Sequence, residues 1–250
     1  MNLDFLNSPI WNFSIWNALQ GVGGILTFFA IVLMWWQLKE QQKVKQKPRM
    51  QEMYDVVIGP LIVKLERIKE NFKNKEIDLS LLIWSFKIAP MFRRGLEEII
   101  FKDFIKLYPE INKKLAEFDQ LVEKLINAWK NFEEKINTIP EFRQKVDEKW
   151  KEYGQPIEVN PPQYNWIIAW IINEKEELRE GHGYYKFWSR YNKDFLIFRN
   201  DERVKSEKEK FDVNRKKLFS LTEKILNELK EIANELSRKY GIKIHSQKEI

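Results

Sequence analysis

Residues 16–38, WNALQGVGGILTFFAIVLMWWQL, carry no charged side chain, and residues 39–49, KEQQKVKQKPR, follow at once with five basic residues and one acidic. An uncharged run of this length constrains the chain strongly, because its apolar surface must be removed from water on every side. Trp16 and Trp36 stand twenty residues apart, about 30 Å along a helix, which is the hydrocarbon thickness of a bilayer. Tryptophans at both ends suit an aromatic belt at the headgroups. The expectation is a transmembrane helix over 16–38.

Three other readings of the run are weaker. A cleaved signal wants a basic start and a shorter apolar core. A phosphate-binding glycine loop follows a strand and opens an amphipathic helix, whereas Gly21, Gly23 and Gly24 lie inside apolar sequence. A buried helix of a soluble domain rarely stays apolar for so long. The basic flank sets orientation: Lys39, Lys43, Lys45, Lys47 and Arg49 follow the run and no Lys or Arg precedes it. The positive-inside rule then places residues 1–15 outside and everything after the run in the cytoplasm of a single-pass cell-membrane protein. Trp16, Trp35 and Trp36 and those five basic residues form the expected membrane interface, with anionic headgroups as their partners. Ser8-Pro9 marks a helix start, and the glycosylation pattern Asn12-Phe-Ser14 is discounted because it lies so near the bilayer.

Asn17, Gln20, Gly24 and Thr27 recur at spacings of three, four and three, so they share one helix face. Small residues let helices approach closely, and amides hydrogen-bond across the contact. This face is the candidate for self-association or partner binding. The plainer alternative puts Asn17 and Gln20 at the outer interface.

Charge location also decides against a nucleic-acid function. The chain has a formal net charge of +6, yet residues 50–250 hold 38 basic and 35 acidic residues. Phosphate neutralisation normally demands a basic face, and here the excess sits beside the apolar run. Nucleic acid is therefore not an expected partner. Cysteine is absent, which excludes disulfides, thiolate metal sites and thiol nucleophiles. The abundance of Lys, Glu and Ile is compatible with a thermophilic source.

Beyond residue 49 the periodicity is helical. Tyr54, Ile58, Leu61, Leu65, Ile68 and Phe72 form one stripe, with a kink or restart expected at Gly59-Pro60. NKEIDLS reads as a connection, LLIWSFKIAP as a short apolar helix, and MFRRGLEEIIFKDFIKLYP as a helix ending near Tyr108-Pro109. Ile111, Leu115, Phe118, Val122, Leu125, Trp129, Phe132 and Ile136 alternate steps of four and three, an a/d heptad seam. A second long helix is expected from about Val204 to Tyr240, with Gly241 as its C-cap. Its stripe is Phe211, Leu218, Leu221, Ile225, Leu229, Ile232 and Leu236. Pairing of the two long helices within one chain is the simpler expectation, and pairing between chains the alternative.

The fold class is therefore all-α: one N-terminal transmembrane helix, then a cytoplasmic helical bundle or coiled coil, with a small hairpin near 184–199 as a local alternative. The expected organisation is an extracytoplasmic N-terminus (1–15), the span (16–38), a basic juxtamembrane segment (39–49) and a helical half carrying the 111–136 seam (50–152). A proline-rich connection (153–163), a C-terminal helical half (164–240) and a tail (241–250) follow. The WIIAWII core of the C-terminal half is too short to span and reads as a buried helix, with an interfacial segment lying on the bilayer as the alternative.

No catalytic or metal-ligating residues and no cofactor are assigned. Glu180 and His182 are two residues apart, whereas the di-iron helix motif needs three, so Glu177, Glu180 and His182 read as a solvated helix end. Tyr184, Tyr185, Lys186, Trp188 and Arg190 interleave aromatic and basic residues, a pattern that can clamp a ligand but also arises when rings pack inward and cationic stems reach water. The expected function is a non-catalytic, membrane-anchored scaffold or adaptor with an unidentified protein partner or a second copy of itself. A membrane-tethered module for nucleic acid or anionic lipid is the first alternative, and an enzyme with an unrecognised site the second.

Overall fold

The computed structural model describes residues 9–77, 81–92, 95–154, 164–176, 178 and 184–244, and the side chains of all of these except 9–26, 84, 89, 90, 164, 165 and 185. Among the described residues every regular element is helical. They divide into two compact units, one of residues 9–52 with Glu235–Ile244 and one lying within Met53–Asn234.

The first unit is dominated by α1 (Pro9–Met53), which carries Pro48 inside it. The basic segment 39–49 is thus helical and continuous with the apolar run. The other contribution is the end of α8 (Glu202–Tyr240). Gly241 closes that helix with φ +64, and its N–H donates to Ser237 O at 2.8 Å. The left-handed residue terminates the helix as a glycine at this position normally does. Gln51 clamps the following chain at two points: its Nε2 donates to Lys243 O at 3.0 Å and its Oε1 accepts from Lys243 N–H at 2.8 Å.

In the second unit α2 (Gly59–Lys73) follows a π-helical turn, Tyr54–Ile58. Pro60 has no N–H to offer and disfavours the preceding α-helical hydrogen bond, and the wider turn absorbs the mismatch. Gly59 suits the spot because a Cβ there would sit 3.2 Å from Tyr54 O. A second π turn, Leu81–Phe86, leads to α3 (Gly95–Leu107), and Pro109 and Pro140 open α4 (Pro109–Asn137) and α5 (Pro140–Tyr153). Proline fits this position, where an N–H has no helical partner.

α4, α8 and α2 form the bundle. Lys114 pairs with Glu228, the Trp129 and Phe211 rings meet at 5.7 Å, and Lys135 Nζ lies 2.9 Å from Glu207. As the α4 partner rises from 114 to 135, the α8 partner falls from 228 to 207, so the helices are antiparallel. α2 also runs against α8, through Glu66–Lys230 (2.6 Å), Lys69–Glu223 (2.7 Å) and Phe72–Phe219 rings (5.9 Å). All eight heptad residues, Ile111, Leu115, Phe118, Val122, Leu125, Trp129, Phe132 and Ile136, are buried, and so are Leu121, Ile126 and Ala128. That stripe is wider than a two-stranded seam and suits a helix with neighbours on more than one side.

The remaining helices are α6 (Tyr164–Ile172) and α7 (Tyr185–Leu196), the latter followed by a 3-10 turn, Ile197–Asn200. The local hairpin alternative at 184–199 is replaced by helix. The physical reason is periodicity: Trp188, Tyr191 and Phe195 recur at helical steps and are all buried. α6 buries Ile167, Ile168, Ile171 and Ile172 completely. Residues 155–163 of the proline-rich connection lie outside the described residues.

Candidate functional site

Two places combine unusual chemistry with a defined geometry: the exposed apolar part of α1 and a cavity where α2 and α6 end.

Within α1, residues 28–36 and 38 are apolar at every position, and all those of large side chain are exposed. Phe28 is 65%, Leu33 57% and Trp36 59% accessible. Consecutive residues point in all directions around a helix, so the segment is apolar and uncovered on its whole circumference. Such a helix belongs in a protein core or in lipid. Trp35 and Trp36, at the end of the segment, are exposed, and Lys39 Nζ lies 3.9 Å above the Trp35 ring. Lys43 pairs with Glu40 at 2.7 Å, and Lys45, Lys47 and Arg49 are exposed on the same helix. Among the described residues no helix is long and apolar enough to cross a membrane, so the span expected over 16–38 finds no support there. The side chains of Trp16, Asn17, Gln20 and Gly24 lie outside the described residues, and of that expected association face only Thr27 is on view, exposed.

The Tyr184–Arg190 cluster sorts by helix face. Trp188 is fully buried, with its ring 4.9 Å from Trp170 and stacked 5.9 Å from Phe195. Phe187, also fully buried, meets Trp150 at 5.3 Å and Tyr153 at 5.5 Å. Lys186 and Arg190 face solvent, Tyr184 is half-buried, and the Tyr185 side chain is outside the described residues. The interleaving is therefore an amphipathic helix with its rings inside, and a nucleic-acid base has no access to Trp188. Glu177, Glu180 and His182 lie outside the described residues. No group of three or more His, Asp or Glu side chains is placed to hold a metal ion among the described residues.

The cavity was not anticipated from sequence. It measures about 380 Å³ and is lined by Lys75, Glu76, Ile77, Leu81, Trp166, Ala169, Trp170, Asn173, Lys175 and Leu178. Two helix ends of the same design frame it. Lys75 N–H donates to Phe72 O and Glu76 N–H to Asn71 O; Glu174 N–H donates to Ile171 O and Lys175 N–H to Trp170 O. Each end is a Schellman closure, and the left-handed residue of each is not glycine but Lys75 (φ 53) and Glu174 (φ 56). A non-glycine residue costs about 1 kcal/mol there.

The two ends cap each other. Lys75 Nζ donates to Glu174 O at 3.2 Å, and Lys175 Nζ to Asn74 O at 3.3 Å and to Glu76 at 3.4 Å. Cations at carbonyl-rich helix ends also offset the helix dipoles. The Glu174 side chain is engaged by Arg199 and by Lys208, the latter at 3.6 Å. Asn173 is 1% exposed and donates from Nδ2 to Ile77 O at 2.5 Å and Ala169 O at 2.8 Å. Its Oδ1 has no donor among the described residues.

Sequence reasoning also missed Glu207, which sits at 4% exposure in the apolar stripe of α8. Hydrogen bonds from Lys135 and Lys210, at 2.9 and 3.0 Å, hold its carboxyl below the usual range, the Lys135 bond most.

Comparison with protein-family models, curated proteins and solved structures found no match for the chain.

Proposed function

We propose that the chain is a non-catalytic, membrane-anchored helical scaffold, held by α1 in a bilayer with its helical bundle on the cytoplasmic side. The observation that carries the reading is the uncovered apolar circumference of α1 between residues 28 and 38. Each buried CH₂ is worth about 0.8 kcal/mol, and with the ten apolar residues 28–36 and 38 all exposed, water is the wrong solvent for this segment. The uncharged sequence continues ahead of Thr27 back to Trp16, which supplies the length a span requires. The Trp35–Lys39 stack is the kind of anchor that holds a helix at the headgroup level. Lys39, Lys43, Lys45, Lys47 and Arg49 then lie on the cytoplasmic side, within reach of anionic headgroups, each worth about 1 kcal/mol near such a surface.

The scaffold part of the reading rests on the bundle's outward faces. Its ion pairs are spread over the surface, and α3 exposes Leu96, Ile99 and Leu107, a face available to a protein partner. The test has two steps. Membranes from cells expressing the full-length chain are extracted with alkaline carbonate, and the chain is expected to stay in the pellet; complete release would overturn the anchor. Capture of the detergent-solubilised chain is expected to bring down a stoichiometric protein partner that a chain with Leu96→Glu and Ile99→Glu no longer retains. Equal recovery by both would overturn the use of that face.

A further inference from the structure

The cavity between the ends of α2 and α6 has the attributes of a ligand site, and it lies outside the anchor and scaffold reading. Its volume of about 380 Å³ falls in the range of small-molecule pockets, and its lining has their usual composition, mostly apolar and aromatic with a few converging polar groups. Ile77 and Trp170 are buried, whereas Trp166 is 43% exposed and meets the Tyr184 ring edge-on at 5.3 Å.

The polar groups determine the sign of the ligand. Four carbonyl oxygens around the cavity each already accept a hydrogen bond. Ile77 O accepts from Asn173, Asn74 O from Lys175, Glu174 O from Lys75, and Lys175 O from Trp188 Nε1 at 2.7 Å. Lysine ammonium groups have three N–H donors each. Lys175 divides its bonds between Asn74 O and Glu76, while Lys75 contacts no carboxylate among the described residues. The lining therefore has a surplus cation at Lys75. Asn173 is the remaining polar group. Its amide nitrogen is fixed by two carbonyls and its Oδ1 is closed off from solvent, so it ties the end of α6 to Ile77 and offers no acceptor to a ligand.

We propose that this cavity binds a small aromatic carboxylate, with the ring against Trp166 and Trp170 and the carboxylate at Lys75. The probe is 5-fluoroindole-3-acetate, followed by fluorine NMR on the full-length chain in non-ionic detergent, with detergent alone as the blank. Saturable broadening is expected. Lys75→Gly is expected to weaken binding about fivefold, the upper range for an exposed ion pair. That substitution also removes the left-handed strain, so the melting temperature is expected to hold or rise, which separates lost binding from lost folding. Trp166→Ala is expected to weaken binding about tenfold by loss of the ring contact. The cationic analogue 5-fluorotryptamine is expected to give no broadening beyond the blank. Binding no greater than the blank, unchanged affinity in both variants, or equal binding of the tryptamine would each overturn the proposal.

Discussion

Helix α1 between residues 28 and 38 and helix α4 between 111 and 136 are both rich in large apolar side chains, yet they meet opposite fates. In α4 the apolar residues fall on one broad stripe, and α8 and its neighbours cover it; Phe118 and Phe132 are fully buried. In α1 the apolar residues occupy every position but Gln37, and all of the large ones are exposed. A stripe identifies a protein partner, because the polar remainder of the helix needs water. An apolar circumference leaves no face for water, so its partner must surround it. The same residue types are thus covered in one helix and exposed in the other, and their periodicity distinguishes the two.

The sharpest contrast is in truncation. Phe132→Ala is expected to destabilise the bundle by about 3–5 kcal/mol, as a large buried ring leaves a cavity, whereas Leu33→Ala is expected to change it by less than about 0.5 kcal/mol. Thermal unfolding of the full chain in detergent, followed by circular dichroism, measures both. Similar losses from the two would break the comparison. Charge insertion reverses the ranking. Leu33→Arg near the centre of the apolar run is expected to cost about 2.5–3.5 kcal/mol of membrane insertion, read as the inserted fraction in a microsomal translation assay, with the bundle's melting temperature unchanged.

Ionic contacts sharpen the difference further. The cations of 39–49 mostly face outward, whereas the bundle buries Glu207 between Lys135 and Lys210. Glu207→Gln is expected to destabilise by about 1–2 kcal/mol, because hydrogen bonds to a charged group are lost. The sign of its pH dependence follows from a depressed carboxyl. The stabilisation is present above the unfolded-state value and is lost as pH falls through the lower folded one. Acid titration of the melting temperature should therefore show a flatter slope in the variant. The smallest effect belongs to Asp201, whose carboxyl Arg203 draws down to about 2 by a side-chain hydrogen bond at 2.7 Å. Its stabilisation is present above about pH 4 and is lost between there and pH 2. Arg203 is half exposed, so Asp201→Asn is expected to cost no more than about 1 kcal/mol, seen as a smaller loss of stability over that interval.

The helical architecture was legible because long stripes repeat many times. The seam of α4 and the closing Gly241 of α8 follow from local rules that the tertiary structure had no reason to override. The cavity was not legible. Left-handed helix ends are normally announced by glycine, and here Lys75 and Glu174 occupy them, so the sequence offers no punctuation where two ends meet. Asn173 follows a run of seven apolar residues, and that abrupt polar stop is the one local signal of a buried amide. Glu207 was hidden by its type: a glutamate on a charged helix reads as solvated until the helix opposite supplies Lys135. Trp188 and its neighbours were ambiguous because interleaved aromatic and basic residues describe equally a ligand clamp and an amphipathic helix, and only the packing of α5 and α6 against α7 separates the two.

Because the sequence contains no cysteine, single cysteines report the topology without background. In intact cells, Asn2→Cys is expected to react with a membrane-impermeant maleimide, and Lys124→Cys, on the exposed face of α4, only after the membrane is opened. Labelling of Lys124→Cys in intact cells, or of neither site before opening, would contradict an anchor that crosses the bilayer with its bundle inside.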